Sequence, residues 1–319
     1  RPVYDRTERE HAECLEALAK ILQETAGELM KPNANALTLF NSLSTPYSRP
    51  VELPKSWAKG KVTTASGEAV VTQVESDGRV FAAVVVPASG FLTLFHKAGK
   101  GQEIKTKMDG KLLLENGKYR YEFDVDGRMT SAVEKASEQE FLTAPGNAFH
   151  LYHDETAIYD AWNVDPWYRG EEVAQAKSAG ATVREVGPVR SVLRFELGVS
   201  GSAISQEVSL AANGESVEFK TAVEWHEARK MLRVAFPTSV DSREATYDIQ
   251  YGMIKRPTHN NTSRDQVQFE VCGHRYADLS DGERGVALLN DCKYGHNVKN
   301  GTMKISLFKC GTHPDPNAD

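Results

Sequence analysis

The segments Val189-Arg-Ser-Val-Leu-Arg-Phe-Glu-Leu197 and Ile204-Ser-Gln-Glu-Val-Ser-Leu210 alternate apolar and polar residues along most of their length, and Val217-Glu-Phe-Lys-Thr-Ala-Val-Glu-Trp225 follows them. Alternation with a period of two places one set of side chains on a core and the other toward water, as in the strands of an antiparallel sheet. Asn213-Gly214, between the second and third segments, is a strong signal for a tight turn. These segments therefore predict consecutive antiparallel strands.

The same pattern extends to both sides of this region. Further short runs with β-branched or alternating residues lie at Leu37–Phe40, Ala69–Val74, Val80–Val86, Phe91–Phe95, Tyr119–Val125, Met231–Phe236, Gln266–Val271, Val286–Leu289 and Met303–Phe308. Turn formers separate many of them, and a chain with many short strands and few helices is expected to be mainly β. We predict a small β-sandwich over residues 36–100 and a large antiparallel supersandwich over residues 101–319.

The beginning of the chain has helical rather than strand periodicity. Asp5 and Glu8 have the spacing of a capping box, and apolar residues recur at helical intervals behind them. The pattern predicts one amphipathic N-terminal helix over about residues 6–30, whose apolar stripe packs against another surface. Lys31-Pro-Asn-Ala-Asn35 supplies the proline and asparagine that end such a helix.

Composition and charge exclude several classes of function. The chain has 319 residues, of which 40% are hydrophobic and 26% charged, and its formal net charge is −6. This acidic balance does not fit a nucleic-acid or membrane partner, and no apolar run reaches the roughly 20 residues that cross a bilayer. The 4 cysteines have no C-x-x-C spacing. We therefore expect a soluble protein in a reducing compartment, with neither a disulfide framework nor a zinc knuckle.

The most specific motifs lie in the second half of the chain. They read Tyr251-Gly-Met-Ile-Lys-Arg-Pro-Thr-His-Asn-Asn-Thr-Ser-Arg-Asp265, Gly285-Val-Ala-Leu-Leu-Asn-Asp-Cys-Lys-Tyr-Gly295, Tyr159-Asp-Ala-Trp-Asn-Val-Asp165, Glu224-Trp-His-Glu-Ala-Arg-Lys-Met-Leu-Arg-Val-Ala-Phe-Pro237 and Ser306-Leu-Phe-Lys-Cys-Gly-Thr-His-Pro-Asp-Pro316. Taken in their order along the chain, they resemble blocks of the C-terminal region of glycoside hydrolase family 38, the zinc-dependent α-mannosidases. The resemblance is strongest to the cytosolic-type branch of that family.

The resemblance implies a chemistry whose residues this chain does not contain. Family members hydrolyse terminal α-mannosides with retention, using an aspartate nucleophile, a second carboxylic acid and zinc held by histidines and aspartates. Those motifs lie upstream in the family, and none of their positions has a counterpart in these 319 residues. We therefore predict no catalytic residue and no metal ligand here, and we expect zinc in the N-terminal catalytic domain. On this interpretation residues 1–35 end the family's helical bundle, and the chain is a non-catalytic part, inactive alone.

Two motif loops nevertheless contain candidate residues for substrate contact. Trp162 and Asp165 belong to one loop, and His259 and Asp265 belong to the other. An aromatic face packs on a sugar ring, and a carboxylate accepts hydrogen bonds from sugar hydroxyls. We predict that these residues lie at the rim of the sugar site in the complete enzyme. The structural alternative is that Trp162 fills the interface with the catalytic domain and that Asp265 fixes a loop backbone.

Three positions in these motifs depart from the family pattern. Arg264 occupies a position where the family usually has tryptophan, and Met253 one where histidine is common. Asn163 replaces the acid that directly follows the tryptophan in an Asp-Ala-Trp-Asp-x-Asp motif. If the loops reach the sugar, the contacts made there differ from those of the family.

The favoured function is that of the accessory C-terminal region of an α-mannosidase that acts in mannose and oligosaccharide catabolism. The expected partners are the chain's own N-terminal catalytic domain and a mannose-containing oligosaccharide, and formation of a homo-oligomer is left open. The cytosolic-type resemblance favours a cytoplasmic location, with the vacuole or lysosome as the alternative.

Two other functions are carried as alternatives. A large supersandwich of this kind is also mutarotase-like, so the chain could be a stand-alone sugar epimerase in which a histidine and a glutamate move protons. A carbohydrate-binding module without chemistry is the other alternative. Exposed coplanar aromatic side chains, for which Trp162, Trp167 and Tyr168 are the candidates, would favour the module.

Overall fold

The structure, a computed structural model, describes residues 2–30, 33–99 and 110–311. The chain divides into two compact units, residues 1–104 and 105–319. The predicted boundary between residues 100 and 101 lies outside the described residues, as does the end of the Ser306–Pro316 motif. The assignment of residues 1–35 to a helical bundle stays a prediction.

The N-terminal helix α1 spans Pro2–Leu29. It begins before Asp5, so the capping box predicted there is wrong, and Pro2 instead begins the first turn, where its fixed φ suits a helix. The predicted apolar stripe is present, but none of the residues of α1 is buried, and Leu15, Leu18 and Leu22 are exposed. Over the described residues, no helix is long and apolar enough to cross a membrane.

The first unit also contains two three-stranded antiparallel sheets. Their strands are β1 (Ala36–Asn41), β2 (Val51–Leu53), β3 (Lys61–Thr64), β4 (Thr72–Val74), β5 (Val80–Ala82) and β6 (Gly90–Lys97), in the sheet orders β1-β6-β3 and β2-β5-β4. A short 3-10 helix, Lys55–Trp57, follows β2. Trp57, Val80 and Leu94 belong to the buried cluster of this unit, so the first unit has its own core.

The second unit contains the remaining strands. They are β7 (Leu113–Glu115), β8 (Tyr119–Phe123), β9 (Met129–Glu134), β10 (Gln139–Glu140), β11 (Ala148–His153), β12 (Glu172–Gln175), β13 (Lys177–Glu185), β14 (Arg190–Val199), β15 (Ser202–Ala211), β16 (Val217–Glu224), β17 (Lys230–Pro237), β18 (Glu244–Ile249), β19 (Gly252–Pro257), β20 (Val271–Cys272), β21 (Tyr276–Ser280), β22 (Gly285–Leu289), β23 (Gly295–Lys299) and β24 (Thr302–Lys309). A 3-10 helix, Pro166–Gly170, lies between β11 and β12, and the short helix α2, Ser263–Gln266, lies between β19 and β20.

These strands form four sheets, and every described strand pair is antiparallel. The sheet orders are β10-β9-β8-β7, β12-β11-β17-β24-β23-β20, β13-β14-β15-β16 and β19-β18-β21-β22. The main core contains Leu193, Phe195 and Ile204 from the β13–β16 sheet and Leu151 and Leu232 from the six-stranded sheet. The predicted mainly β, antiparallel architecture with an N-terminal helix is therefore confirmed.

One predicted strand is replaced by a helix and a loop. Gln266–Val271 was expected to be extended, but Gln266 ends α2 and only Val271 belongs to a strand, β20. Thr262 explains the difference, because its side chain accepts a hydrogen bond from the N–H of Asp265 and completes a capping box. The local hydrogen bonds thus outweigh the alternating pattern that follows them.

Candidate functional site

The motif residues lie on two loops of the second unit. The first loop, residues 154–171, connects β11 to β12, and the second loop, residues 258–270, connects β19 to β20. The first loop joins two neighbouring strands at one edge of the six-stranded sheet, and the second loop enters the opposite edge of that sheet, at β20, from the β19-β18-β21-β22 sheet. This arrangement makes the sheet a common base for the predicted site residues.

The first loop holds Trp162 and Asp165 by contacts within the loop. The N–H of Trp162 donates to the carbonyl of Tyr159 at 2.9 Å, and the two rings meet edge to face with centroids 6.1 Å apart. The carboxylate of Asp165 accepts a hydrogen bond from the N–H of Ala157 at 2.9 Å. The indole of Trp162 remains 67% exposed. Asp165 is thus used to close its own loop, while Trp162 presents an aromatic surface.

The aromatic residues next in sequence do not form one exposed platform. Trp167 is exposed, and its indole N–H donates to the carbonyl of Glu155 at 2.8 Å. Tyr168 is only 3% exposed and packs edge to face on Tyr152, with centroids 5.3 Å apart. Tyr168 therefore does not belong to the exposed coplanar aromatics that would favour a binding module, because the 3-10 helix turns it toward the sheet.

The second loop brings His259 and Asp265 together. Nδ1 of His259 lies 3.4 Å from Oδ2 of Asp265, and the same carboxylate oxygen accepts a hydrogen bond from the N–H of Thr262 at 3.0 Å. Hydrogen bonds from Thr262, followed by the charges of His259 and Lys299, lower the pKa of Asp265. Asp265 is therefore ionised at neutral pH, and it also holds the loop backbone in place.

Lys299, on β23, fastens the second loop to the six-stranded sheet. Its ammonium group donates to the carbonyls of Pro257 at 2.9 Å, His259 at 3.0 Å and Asp265 at 3.3 Å. Burial lowers the pKa of Lys299, and the carboxylate of Asp265 opposes that effect. Lys299 thus binds the backbone at both ends of the loop segment that contains His259 and Asp265.

The two loops meet above Arg233 on β17. The Tyr168 hydroxyl donates to Oε1 of Glu270 at 2.5 Å, and Nη2 of Arg233 donates to Oε2 of Glu270 at 3.0 Å. Nη1 of Arg233 completes the pair with Oε1, and the guanidinium also lies 5.5 Å from the centre of the Tyr168 ring. We refer to Arg233, Glu270 and Tyr168 as the anchor cluster. It joins the first loop to the second through one buried ion pair.

Buried titratable groups surround the anchor cluster. Burial raises the pKa of Glu270, and the charge of Arg233 opposes this rise. His296, on β23, is fully buried, and its pKa falls to about 4 because of burial first and then the nearby charges of Arg233 and Arg256. His296 is therefore neutral at physiological pH. The base of the two loops thus carries an ion pair and an uncharged imidazole.

The described residues do not fit a resident metal ion. Over residues 2–30, 33–99 and 110–311, no group of three or more His, Cys, Asp or Glu side chains is arranged to hold one. His259 and Asp265 form a pair without a third ligand of these types. No chemical step through a metal is therefore assigned to these residues.

Sequence reasoning placed the loops but missed the anchor cluster. Arg233 interrupts the apolar run Met231–Phe236, and a lone charge in a predicted buried strand is a signal for a buried ion pair. Nothing in the sequence identifies Glu270 as its partner, because the two residues lie on different elements and meet only in the folded unit.

The amino-acid sequence matches that of known proteins. The model of the glycosyl hydrolases family 38 C-terminal domain matches residues 114–317. Alpha-mannosidase 2C1 of Homo sapiens is 43% identical over 215 residues, which are 66% of this chain and 21% of that protein. Alpha-mannosidase G of Dictyostelium discoideum is 31% identical over 308 residues, which are 90% of this chain and 28% of that protein. The chain thus spans only 21% to 28% of the length of these relatives.

Solved structures agree on the fold. An α-mannosidase from Enterococcus faecalis V583 superposes with a TM-score of 0.68 at 14% identity, covering 86% of this chain and 40% of that one. At this identity the likeness concerns the fold alone. The family assignment rests on the sequence match, which covers most of the second unit and includes both loops. The chain therefore belongs to glycosyl hydrolase family 38, the α-mannosidases, and contains the C-terminal domain of that family.

Proposed function

We propose that this chain is the accessory C-terminal region of an α-mannosidase and that its two loops face the catalytic domain and the bound sugar. The observation that carries the proposal is an exposed apolar surface on a fixed base. Ile158, Tyr159, Trp162 and Trp167 of the first loop are between 51% and 67% exposed. The same loop is tied at its C-terminal end to Arg233 and Glu270.

A fixed loop with apolar side chains at its surface suits recognition. Exposed aromatic groups favour contact with a protein surface or a sugar ring. The anchor cluster holds the backbone near these side chains, so that little conformational entropy is lost when a partner binds. This combination supports a docking role for the first loop in the complete enzyme.

The second loop supplies the polar side of the proposed rim. The lowered pKa of Asp265 keeps its carboxylate ionised, and such a group accepts hydrogen bonds from sugar hydroxyls. His259 lies beside it and is partly exposed. In this proposal Trp162 provides the apolar contact, whereas Asp165 acts indirectly by closing the loop that presents it.

The proposal extends to the activity of the whole enzyme. The complete protein would hydrolyse terminal α-mannosides with retention and act on mannose-containing oligosaccharides in their catabolism. Zinc would reside in its catalytic domain, and the chain's main partner would be that domain. A nucleic-acid or membrane partner and a homo-oligomer are not required by this role. The free thiols of Cys14, Cys272, Cys292 and Cys310 support a reducing, cytoplasmic location.

The first test measures hydrolysis of a chromogenic α-mannoside by the purified chain, with and without Zn²⁺. We expect the intact purified chain, whose mass is 35.2 kDa, to show no turnover. Metal-dependent turnover would show that a catalytic site lies within these residues and would overturn the accessory role.

The second test uses the full-length enzyme that contains this chain. Trp162→Ala is expected to lower kcat/KM by about tenfold, which corresponds to the loss of one aromatic contact. Tyr251→Ala is the matched control, because Tyr251 is exposed and lies in the β18–β19 turn outside both loops. Equal effects of the two variants would contradict a specific role for the first loop.

A second candidate function has one observation in its favour. Nδ1 of His150 lies 3.2 Å from Oε2 of Glu172, across β11 and β12 of the six-stranded sheet. A histidine and a glutamate in contact on a sheet are the pair that a mutarotase-like proton transfer requires. We would measure the mutarotation of α-D-glucose by polarimetry. A rate equal to that of buffer, or one unchanged by Glu172→Gln, rejects this candidate.

A further inference from the structure

A cleft with an excess of positive charge lies beside the second loop. Its volume is about 930 Å³, within the range of pockets that hold small organic ligands. Strands β18, β19 and β21 form one side, and the second loop with α2 forms the other. His259 and Asp265 lie on its wall, but most of the lining belongs to the strands.

Two arginines on the wall have no acidic partner within residues 2–30, 33–99 and 110–311. Across the part of the chain that the structure describes, no ion pair or side-chain hydrogen bond engages the guanidinium of Arg243 or Arg264, and both residues are exposed. Lys255 differs, because its ammonium lies 3.5 Å from a carboxylate oxygen of Glu244. The two arginines therefore add uncompensated positive charge to the cleft.

A third arginine adds charge from below the surface. Arg256 lines the cleft, and its guanidinium lies 4.9 Å from the centre of the Tyr247 ring. Its Nη1 atom is buried and has no hydrogen-bond partner among the described residues. A partly buried guanidinium without a carboxylate is unfavourable, since desolvation is not offset by pairing. In register Arg256 pairs with Ala245, so its side chain lies on the Tyr247 face of the sheet, and it adds to the positive potential at the cleft without reaching a ligand there directly.

On the strand side of the cleft, several side chains can form hydrogen bonds with the hydroxyl groups of a ligand. Thr246 on β18 pairs in register with Asp278 on β21, so both side chains lie on the face that lines the cleft. The Ser280 hydroxyl lies within hydrogen-bond distance of both Oδ1 and Oδ2 of Asp278, at 3.0 and 3.1 Å, and each carboxylate oxygen has a further lone pair that can accept a hydrogen bond. A cluster of hydroxyl and carboxylate groups of this kind recognises polyols rather than bare anions.

We propose that this cleft binds a phosphorylated sugar, with the phosphate near Arg243 and Arg264 and the sugar hydroxyls near Thr246 and Asp278. Arginine guanidinium groups match phosphate oxygens through paired N–H donors. Arg264 makes the site particular to this chain, because the family pattern has tryptophan at that position. The inference goes beyond the accessory role, since binding at the cleft requires no mannoside hydrolysis.

The test is isothermal titration calorimetry on the 319-residue chain at low salt, with mannose 6-phosphate, mannose and inorganic phosphate as separate probes. Mannose 6-phosphate is expected to bind at least about tenfold more tightly than either of the other probes, because only it engages both sides of the cleft. Arg243→Gln and Arg264→Gln are each expected to weaken this binding by about tenfold. Higher salt is expected to weaken it as well, since the contacts are partly exposed.

Arg275→Gln is the matched control. Arg275 is an exposed arginine of the same unit, and it is not part of the cleft lining. Its replacement is expected to leave the affinity unchanged. Equal affinities for mannose 6-phosphate and mannose would overturn the anion site, and equal affinities for mannose 6-phosphate and phosphate would overturn the sugar assignment. Equal losses in the cleft variants and in Arg275→Gln would overturn the location. Each result is independent of whether the full-length enzyme hydrolyses α-mannosides.

Discussion

Replacing Arg233 with methionine is expected to lower the free energy of unfolding by about 3–5 kcal/mol, because it leaves a buried carboxylate without its counter-charge. Arg233 is 1% exposed and makes a two-pronged ion pair with Glu270. Methionine fills much of the same volume, so a cavity contributes little to the loss. The cost arises mainly from Glu270, whose pKa is already raised by burial.

A double-mutant cycle separates this cost from lost packing. In Arg233→Met/Glu270→Gln the uncompensated charge is gone, and the glutamine oxygen still accepts the hydrogen bond from Tyr168. The double variant is therefore expected to be about 2 kcal/mol more stable than Arg233→Met alone. The coupling energy of the cycle, which also includes the loss caused by Glu270→Gln alone, is therefore expected to be at least about 2 kcal/mol, as for residues that share one buried network.

Urea denaturation followed by tryptophan fluorescence measures these differences. Trp162, Trp167 and Trp225 belong to the second unit and only Trp57 to the first, so the signal reports mainly on the unit that contains the pair. Glu215→Gln, which breaks an exposed pair with Lys118, is the control and is expected to leave the midpoint unchanged. The reasoning is refuted if Arg233→Met lowers the free energy of unfolding no more than the control does. It is also refuted if the loss in the double variant equals the sum of the losses in Arg233→Met and Glu270→Gln.

Three further predictions concern the same unit. Burial lowers the pKa of His296 from 6.5 to about 4. The neutral imidazole therefore stabilises the fold fully above about pH 6.5, and about 3 kcal/mol of the free energy of unfolding is lost as the pH falls toward 4. In His296→Phe, the urea midpoint should lose the part of its pH dependence that comes from this imidazole. Thr262→Ala should cost about 1 kcal/mol by removing the cap on α2, seen as faster amide exchange at Asp265. Leu193→Ala should cost about 2–5 kcal/mol in urea denaturation, because Leu193 is fully buried in the main core, and a loss below 1 kcal/mol would contradict that placement.

The strand pattern predicted strands of the β13–β16 sheet correctly, because the alternation in the sequence and the packing in the folded unit agree there. Along β14 and β15, the alternating apolar residues Leu193, Phe195 and Ile204 are the ones that the core buries. The Asn213-Gly214 signal lies in the turn between β15 and β16, where the N–H of Gly214 donates to the carbonyl of Ala211 at 3.0 Å. Where short-range hydrogen bonds compete with alternation, as at Thr262, the same reasoning failed.

The site was predictable only up to its loops. The motifs placed Trp162, Asp165, His259 and Asp265 on two loops, and the structure brings His259 and Asp265 together. It does not pair Asp165 with them, because that carboxylate accepts the N–H of Ala157 instead. Which side chains meet between loops depends on sheet order, and a sequence pattern gives strand faces but not the neighbours of a strand.

The anchor cluster explains why an ion pair, rather than apolar packing, lies beneath the loops. Apolar side chains would stabilise the base at least as well, since burying two charges costs much of what their attraction returns. An apolar contact, however, tolerates sliding of one loop against the other, whereas the guanidinium of Arg233 meets Glu270 in a single two-pronged geometry. The Tyr168 hydroxyl adds a third fixed direction. The arrangement therefore favours a defined placement of both loops over maximal stability, as the proposed presentation of Trp162 and Asp265 to one partner would require.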